Sequence, residues 1–120
     1  MAHMEGATEF TTRLVGVTFC EGYPGTLHRL SEAFNAGEPV PIRLTRDMAN
    51  VHDSNAVSVM CVAAGGKIGH LSRRRAELIA PSLDSGHQWR GVVENVMINP
   101  LHQEHPGVIV RCWQVRMVTA

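Results

Sequence analysis

Short stretches of alternating hydrophobic and polar residues recur along this 120-residue chain, which is the pattern of β-strands with one buried face. In the first stretch Val15, Val17 and Phe19 alternate, so we expect them to share one face of a strand from Phe10 to Cys20. The same pattern predicts five further strands, at residues 40–45, 56–63, 67–71, 88–98 and 107–117. Because of Pro41, the second strand is either an edge strand or one that begins late.

Two segments carry apolar residues at helical spacing instead. The first predicted helix runs from its N-cap, Thr26, to residue 36 and stops at Gly37. The second runs from its N-cap, Ser72, to residue 84, although Pro81 is expected to end or kink it. The predicted buried positions are Leu27, Leu30 and Phe34 in the first helix, and Ala76, Ile79, Ala80 and Leu83 in the second.

Two hairpins complete the pattern, one turning at Gly65-Gly66 and one across the loop at residues 99–106. Six short strands and two short helices without β-α-β alternation predict a mainly β (α+β) fold. A small, partly open β-barrel of the OB or SH3 kind is the natural arrangement of these elements. We expect one domain over residues 10–118, and we interpret residues 1–4 as an expression scar.

The charge of the chain is balanced, with 11 Lys plus Arg, 11 Asp plus Glu, and a formal net charge of zero. Strong non-specific nucleic-acid binders are usually basic, so a large phosphate-binding surface is not expected, while a small local one remains open. Cys20, Cys61 and Cys112 lie in apolar stretches, which favours buried, reduced thiols and a cytoplasmic protein. No apolar run approaches the roughly 20 residues of a membrane span.

The polar loop at residues 46–56 (RDMANVHDSNA) carries five side chains able to form directed hydrogen bonds. Such a loop either binds a ligand or is a turn that Asp and Asn side chains stitch to its own backbone. Hydrogen bonds to the backbone of the turn could by themselves explain the presence of Asp53 and Asn55. The sequence leaves both interpretations open.

A second polar segment, Gly69 to Arg75 (GHLSRRR), runs from a strand into a helix N-terminus. Free backbone N–H groups and the positive end of the helix dipole make that position an anion site. Three arginines there are unfavourable with the dipole, which suggests that a phosphate supplies the missing negative charge. Alternatively, the arginines point into solvent or pair with acidic residues of the same helix.

Together the two segments resemble the HIRAN domain family. The family pattern R-[DE]-x-x-N-x-x-D-x-N-A, followed by an apolar strand, a glycine turn, G-H/Y-L and a helix, is similar to RDMANVHDSNAV and GGKIGHLSRRRAELIA. Residues 14–17 and 107–113 also fit, so the resemblance covers roughly residues 10–113. It implies an OB-like barrel that binds the 3′ end of single-stranded DNA and serves DNA repair or replication.

The resemblance also implies roles for individual residues. By position, Phe19 and His52 would be the two rings that stack on a base, although the family usually has tyrosine where this chain has His52. Asp53 would accept a hydrogen bond from the terminal hydroxyl with the help of Asn50, while His70 and the first arginine of the second helix would meet a phosphate. The full expected DNA-binding set is Phe19, Arg46, Asn50, His52, Asp53, His70, Ser72, Arg73 and Arg74.

Catalysis and cofactors are not expected, because the sequence has no nucleophile elbow, paired-carboxylate motif or P-loop. His102 and His105 form an i, i+3 pair, but without a third ligand a solvated loop explains them better than a metal site. Asp47, Asp53 and Glu77 could hold Mg²⁺, yet nothing in the sequence fixes their geometry. The alternative function is a protein-interaction module that uses the same barrel surface or an edge strand.

Overall fold

The computed structural model describes residues 8–99, 101 and 105–116. Within them lie six strands and two α-helices, which confirms the predicted mainly β fold. The predicted expression scar at residues 1–4 and the predicted strand end at residue 117 lie outside the described residues. The elements are β1 (Glu9–Arg13), α1 (Gly25–Asn35), β2 (Pro41–Arg46), β3 (Val57–Cys61), β4 (Gly66–His70), α2 (Arg73–Asp84), β5 (Trp89–Met97) and β6 (Gly107–Gln114).

The six strands form one antiparallel sheet in the order β1-β6-β5-β2-β3-β4. Both predicted hairpins are present, although a 3₁₀ turn at Val62–Ala64 lengthens the first of them before Gly65 (φ 89°). β2 lies inside the sheet and starts at Pro41. Of the two alternatives for this proline, the late start is therefore correct, because the first residue of a strand can lack a donor.

The two edges of the sheet meet through one residue pair. After β1 the chain crosses to the opposite edge, where the Val15 N–H donates to the His70 carbonyl at 2.9 Å. The His70 N–H donates back to the Val15 carbonyl at 2.8 Å. This single bridge curls the sheet without closing it along the length of its edge strands, which gives the predicted small, partly open barrel.

The first strand is shorter than predicted, and the shared face expected for Val15, Val17 and Phe19 is wrong. Gly16 has a left-handed conformation (φ 67°), which an extended strand cannot contain, and a 3₁₀ turn follows at Val17–Phe19. Val17 is consequently buried, whereas Phe19 is 91% exposed and Val15 lies in the closing bridge. The left-handed turn thus separates the side chains that strict alternation placed together.

The predicted cap of α1 is also wrong. Thr26 is buried within the first turn, Pro24 occupies the cap position, and no side chain caps the helix. The preceding turn supplies the missing acceptors, because the Thr26 N–H donates to the Gly22 carbonyl at 3.1 Å. The C-terminal prediction agrees with the structure, since Gly37 follows the helix with φ 88°.

At the start of α2 the Ser72 hydroxyl accepts from the Arg75 N–H at 3.2 Å, which confirms the predicted N-cap. Pro81 does not end this helix, which continues to Asp84. The proline lies exposed in the last turn of the helix. Its carbonyl still accepts from the Ser85 N–H at 3.0 Å, so the helix loses little of its hydrogen bonding there.

The helices cover the barrel and bury the expected stripes, with Leu83 and Phe34 only partly buried. The three cysteines are free and buried as predicted, and burial raises the pKa of Cys112 to about 12, so this thiol stays protonated. No helix within the described ranges is long and apolar enough to span a bilayer. The fully buried centre comprises Leu30, Val57, Val59, Cys61, Val108, Val110 and Cys112.

Replacing Gly69 by alanine tests how tightly the barrel closure is packed. A Cβ at Gly69 would lie 3.1 Å from the Cβ of Leu14 and 3.2 Å from the Val15 carbonyl oxygen. We therefore expect the free energy of unfolding to fall by about 1–3 kcal/mol, measured by urea denaturation. The control is Gly66→Ala, because Gly66 has nearly the same φ as Gly69 (152° against 159°) but a Cβ there meets nothing within 4 Å. Equal losses in the two variants would contradict a crowded closure.

Candidate functional site

Arg46, at the end of β2, fixes the polar loop in place. Its Nη1 donates to the Ala56 carbonyl at 2.9 Å and its Nη2 to the Ser54 carbonyl at 2.8 Å. Its Nε donates to Asp84 at the end of α2, at 2.9 Å, and the side chain is only 14% exposed. Three of its donor groups are therefore engaged within the protein, so Arg46 acts first as the anchor of the loop.

The loop is a turn stitched by its own side chains. Asn50 Oδ1 accepts from the backbone N–H groups of His52 (2.8 Å) and Asp53 (3.0 Å). Asp53 Oδ1 accepts from the Asn55 N–H at 2.9 Å. These contacts account for Asn50 and for one oxygen of Asp53. The second carboxylate oxygen of Asp53 accepts no hydrogen bond in the described part of the chain.

A carboxylate that the sequence analysis left out of the DNA-binding set joins this loop to β4. Asp47 Oδ2 lies 2.9 Å from His70 Nε2 and 3.4 Å from Lys67 Nζ. The hydrogen bond with His70 lowers the pKa of Asp47, the positive Lys67 adds to the effect, and partial burial opposes it. Since an ionised carboxylate only accepts, His70 Nε2 carries the hydrogen, which leaves Nδ1 of a neutral ring as an acceptor.

The three arginines at the start of α2 have three different environments. Arg73 Nη2 donates to the His52 carbonyl at 2.9 Å, which ties the helix start to the polar loop. The Arg75 guanidinium lies over the Phe10 ring, 4.4 Å from its centroid. Arg74 is exposed and has no partner in the described part of the chain, and none of the three pairs with an acidic residue of α2 there.

A cleft of about 420 Å³ opens beside this cluster. Phe19 lines it with a ring that is 91% exposed, and Arg29, Lys67 and His70 contribute cationic or titratable groups. The Nε of Arg29 donates to the Ala64 carbonyl at 3.0 Å, which holds the guanidinium at the cleft. Glu21 is the acidic member of the lining, so the cleft combines an exposed aromatic ring with more basic than acidic side chains.

Sequence reasoning missed Arg29 and Lys67. Arg29 lies on the polar face of an amphipathic helix, where an arginine is ordinarily solvated. Lys67 follows a glycine turn and is the only lysine of the chain, and neither feature by itself indicates a binding residue. Their convergence depends on packing α1 beside the β3–β4 turn, and no local pattern encodes that contact.

Comparison with protein families decides the relationship. The model of the HIRAN domain matches residues 8–106. The chain belongs to the HIRAN domain family. Members of this family are known generally as DNA-binding domains, and the match confirms the resemblance seen in the two sequence motifs.

Two solved structures share the fold of this HIRAN domain. A protein from Lactobacillus plantarum has a TM-score of 0.64 and 21% sequence identity, covering 89% of this chain and 93% of that one. The HIRAN domain of human HLTF has a TM-score of 0.61 and 21% identity, covering 89% of this chain and 74% of that one. No curated protein gives a significant match.

The nine residues of the expected DNA-binding set fall into three neighbouring groups. Phe19 and His70 line the cleft, and the pair formed by Asp47 and His70 links the cleft to the polar loop. Arg73 links that loop to the start of α2 through the His52 carbonyl. His52 is not among the residues that line the cleft beside Phe19, so its role as the second stacking ring stays a prediction. The remaining members are Asn50 and Asp53 in the loop, Arg46 as its anchor, and Ser72 and Arg74 at the helix start.

No three His, Cys, Asp or Glu side chains of the described ranges are grouped as a metal site requires. The described ranges include Asp47, Asp53 and Glu77, which therefore do not form the magnesium site considered from the sequence. His102 lies outside these ranges, so the expectation of a solvated loop around His102 and His105 stays a prediction.

The Asp47 contacts predict a pH-dependent stability. The pKa of Asp47 is lower in the folded protein than its ordinary value of 3.8, which we take for the unfolded chain. The contribution of Asp47 is therefore complete above that value and is lost as the pH falls through the lowered folded pKa. We expect the wild type to lose its advantage over Asp47→Asn between about pH 5 and pH 2, measured by urea denaturation.

His70→Phe provides the control for this measurement. Phenylalanine keeps a ring but has no donor, so it removes the hydrogen bond that contributes most to the lowered pKa of Asp47, and the pH-dependent difference should shrink in the His70→Phe background. A stability difference between the wild type and the Asp47→Asn variant that stays constant across this pH range would contradict the assignment.

Proposed function

We propose that this HIRAN domain binds single-stranded DNA and holds its 3′-hydroxyl end. The observation that carries the proposal is the Phe19 ring, which is 91% exposed beside a cleft of about 420 Å³. Arg29, Lys67 and His70 line the same cleft. Proteins that bind single strands without sequence preference combine aromatic stacking surfaces with basic grooves in this way.

The charge of the cleft is local, which suits a chain with zero formal net charge. Arg29 uses its Nε inside the protein, and no Nη atom of Arg29 is engaged in the described part of the chain. Lys67 lies 3.4 Å from Asp47, so one carboxylate offsets part of its charge. We therefore expect binding that neutralises few phosphates and depends modestly on salt.

Asp53 is the proposed acceptor for the terminal hydroxyl. One of its oxygens is held by the Asn55 N–H at 2.9 Å, which fixes the carboxylate and leaves the other oxygen to accept. A 3′-phosphate would be repelled by this carboxylate, and an internal linkage would leave it unpaired. The turn built by Asn50 supports this orientation of Asp53.

Phosphate contacts are assigned to the start of α2, where Arg73 and Arg74 flank the helix N-terminus. Ser72 completes that terminus as its cap and uses its hydroxyl on the Arg75 N–H. Neutral His70 offers an acceptor at Nδ1, so it can meet a phosphate only when its ring is protonated.

The alternative of strand addition by a protein partner has less support. The edge strand β1 is only five residues long and carries the charged, exposed Glu9 and Arg13 at its ends. The other edge strand, β4, is partly occupied by the bridge from Val15. Short, charged or covered edges discourage pairing with another chain.

The decisive measurement compares a short single strand ending in a 3′-hydroxyl with the same strand ending in a 3′-phosphate. Fluorescence anisotropy at low salt should give about tenfold or more tighter binding of the hydroxyl form. Asp53→Asn should abolish the preference, because the amide keeps an oxygen for the Asn55 N–H but loses the negative charge. Equal or absent binding of the two strands by the wild type would refute end recognition.

Phe19→Ala tests the stacking contact. Loss of one stacked base should weaken binding by about 5- to 150-fold, corresponding to about 1–3 kcal/mol. The matched control is Leu78→Ala, since Leu78 is a 68% exposed apolar residue on α2 and does not line the cleft. Because both side chains are exposed, neither variant should change the melting temperature much, and equal affinities of the two variants would argue against stacking on Phe19.

A further inference from the structure

The outer face of the sheet carries two arginines at directly opposed positions of neighbouring strands. Arg43 on β2 is the register partner of Arg90 on β5, and both side chains are exposed. Directly opposed residues of an antiparallel pair project from the same face of the sheet, with Cβ atoms about 5 Å apart. Trp113 on β6 continues the same row as the partner of Arg90.

This arrangement is unfavourable in the protein alone. Like charges directly opposite one another destabilise a sheet. Within the described residues neither arginine forms an ion pair, and Arg90 only donates to Gln88 Oε1 at 3.4 Å. A bound anion between the two guanidinium groups would remove the repulsion.

The acidic residues of this face serve a different arginine. Arg111 donates to Glu9 at 3.1 Å and to Glu94 at 2.7 Å, and it lies 5.1 Å from the centroid of the Trp113 ring. These contacts compensate the charge of Arg111 and raise its pKa, chiefly through the hydrogen bond with Glu94. In the part of the chain that the structure describes, the Arg43 and Arg90 pair therefore remains the uncompensated positive charge of the row.

A second cleft runs from Arg43, one member of this pair, toward the candidate site. It has a volume of about 340 Å³ and is lined by Arg43 and by Val62, which is 92% exposed. Gly65 and Gly66 line this cleft and also the cleft of Phe19. The two clefts thus adjoin the same β3–β4 turn, and a chain leaving the first can cross the glycines to reach Arg43.

We propose that Arg43 and Arg90 form a second binding site, for the phosphates of the single strand upstream of the end held beside Phe19. This inference rests on the proposed function and adds a path for the strand across the β3–β4 turn. Arginine suits the task because its planar guanidinium binds phosphate oxygens in pairs. The contact is independent of base sequence, because it involves the backbone of the nucleic acid alone.

The experiment compares oligothymidylates with a free 3′-hydroxyl, of about 4 and about 16 nucleotides, the range of site sizes of OB folds. Wild type should bind the long strand more tightly than the short one. The double variant Arg43→Gln, Arg90→Gln should bind the short strand like the wild type and lose the gain with length. Each lost phosphate contact lowers the slope of log affinity against log salt by about 0.7, so the long strand should show a slope lower by about 1.4.

Two controls accompany the double variant. The variant Arg43→Lys, Arg90→Lys keeps both charges and should keep the gain with length. The melting temperature of the glutamine variant should be unchanged or higher, because the substitution removes a repulsion.

The outcomes separate this inference from the function on which it rests. Two outcomes refute the second site while the end-binding cleft stands, provided that the wild type binds the short strand. In the first, the glutamine variant retains the full gain in affinity with strand length. In the second, it loses affinity for both strands alike. A wild type that shows no gain with length refutes it as well. If the wild type binds neither strand, both proposals fail.

Discussion

The exchange of two backbone hydrogen bonds between Val15 and His70 is the contact on which the candidate site depends. It joins the segment after β1 to the far edge of the sheet, and so brings two ends of one sheet together. Gly16 turns the chain immediately afterwards, which leaves Phe19 exposed on one side of the bridge. His70 lies in the bridge itself and directs its side chain to Asp47. Closing the barrel and assembling the cleft are therefore one structural event.

The polar loop illustrates how stability and binding share the same residues. Arg46, Asn50 and one oxygen of Asp53 are engaged in holding the loop, and the resulting rigidity fixes the atoms that remain. A preorganised carboxylate loses less conformational freedom on binding than a mobile one. The interpretation of this loop as a self-stitched turn and its interpretation as a binding loop are thus compatible, because different atoms of the same side chains serve each purpose.

Zero net charge does not prevent a binding surface from being positive in places. Asp47 offsets part of the charge of Lys67 at the cleft, while Glu9 and Glu94 compensate Arg111 on the outer face. Among the described residues, the arginines without acidic partners, Arg43 and Arg74 among them, are separated along the sequence and mark distinct stretches of the surface. Such a distribution favours a short, defined path for a strand over a broad phosphate-binding surface.

The sequence by itself determined the features that depend on neighbours a few positions away. The strand periods, the Ser72 cap and the two family motifs follow from local spacing and local hydrogen-bonding chemistry, as does the self-stitched turn, which was one of two interpretations that the sequence left open. Those predictions hold because the partners of each contact lie within about four residues. The end of β1 was missed, because the glycine that breaks it is compatible with either a strand or a turn until the closing bridge forms.

Only the tertiary structure decided which distant side chains meet. Asp47 and His70 are 23 residues apart, Arg46 and Asp84 are 38 apart, and Arg29 reaches the Ala64 carbonyl across 35. The opposition of Arg43 and Arg90 is likewise set by strand order and register. Local periodicity fixes which face of a helix or strand a residue occupies. Which residue of another element lies against that face depends on how the elements pack, and packing is a property of the whole chain.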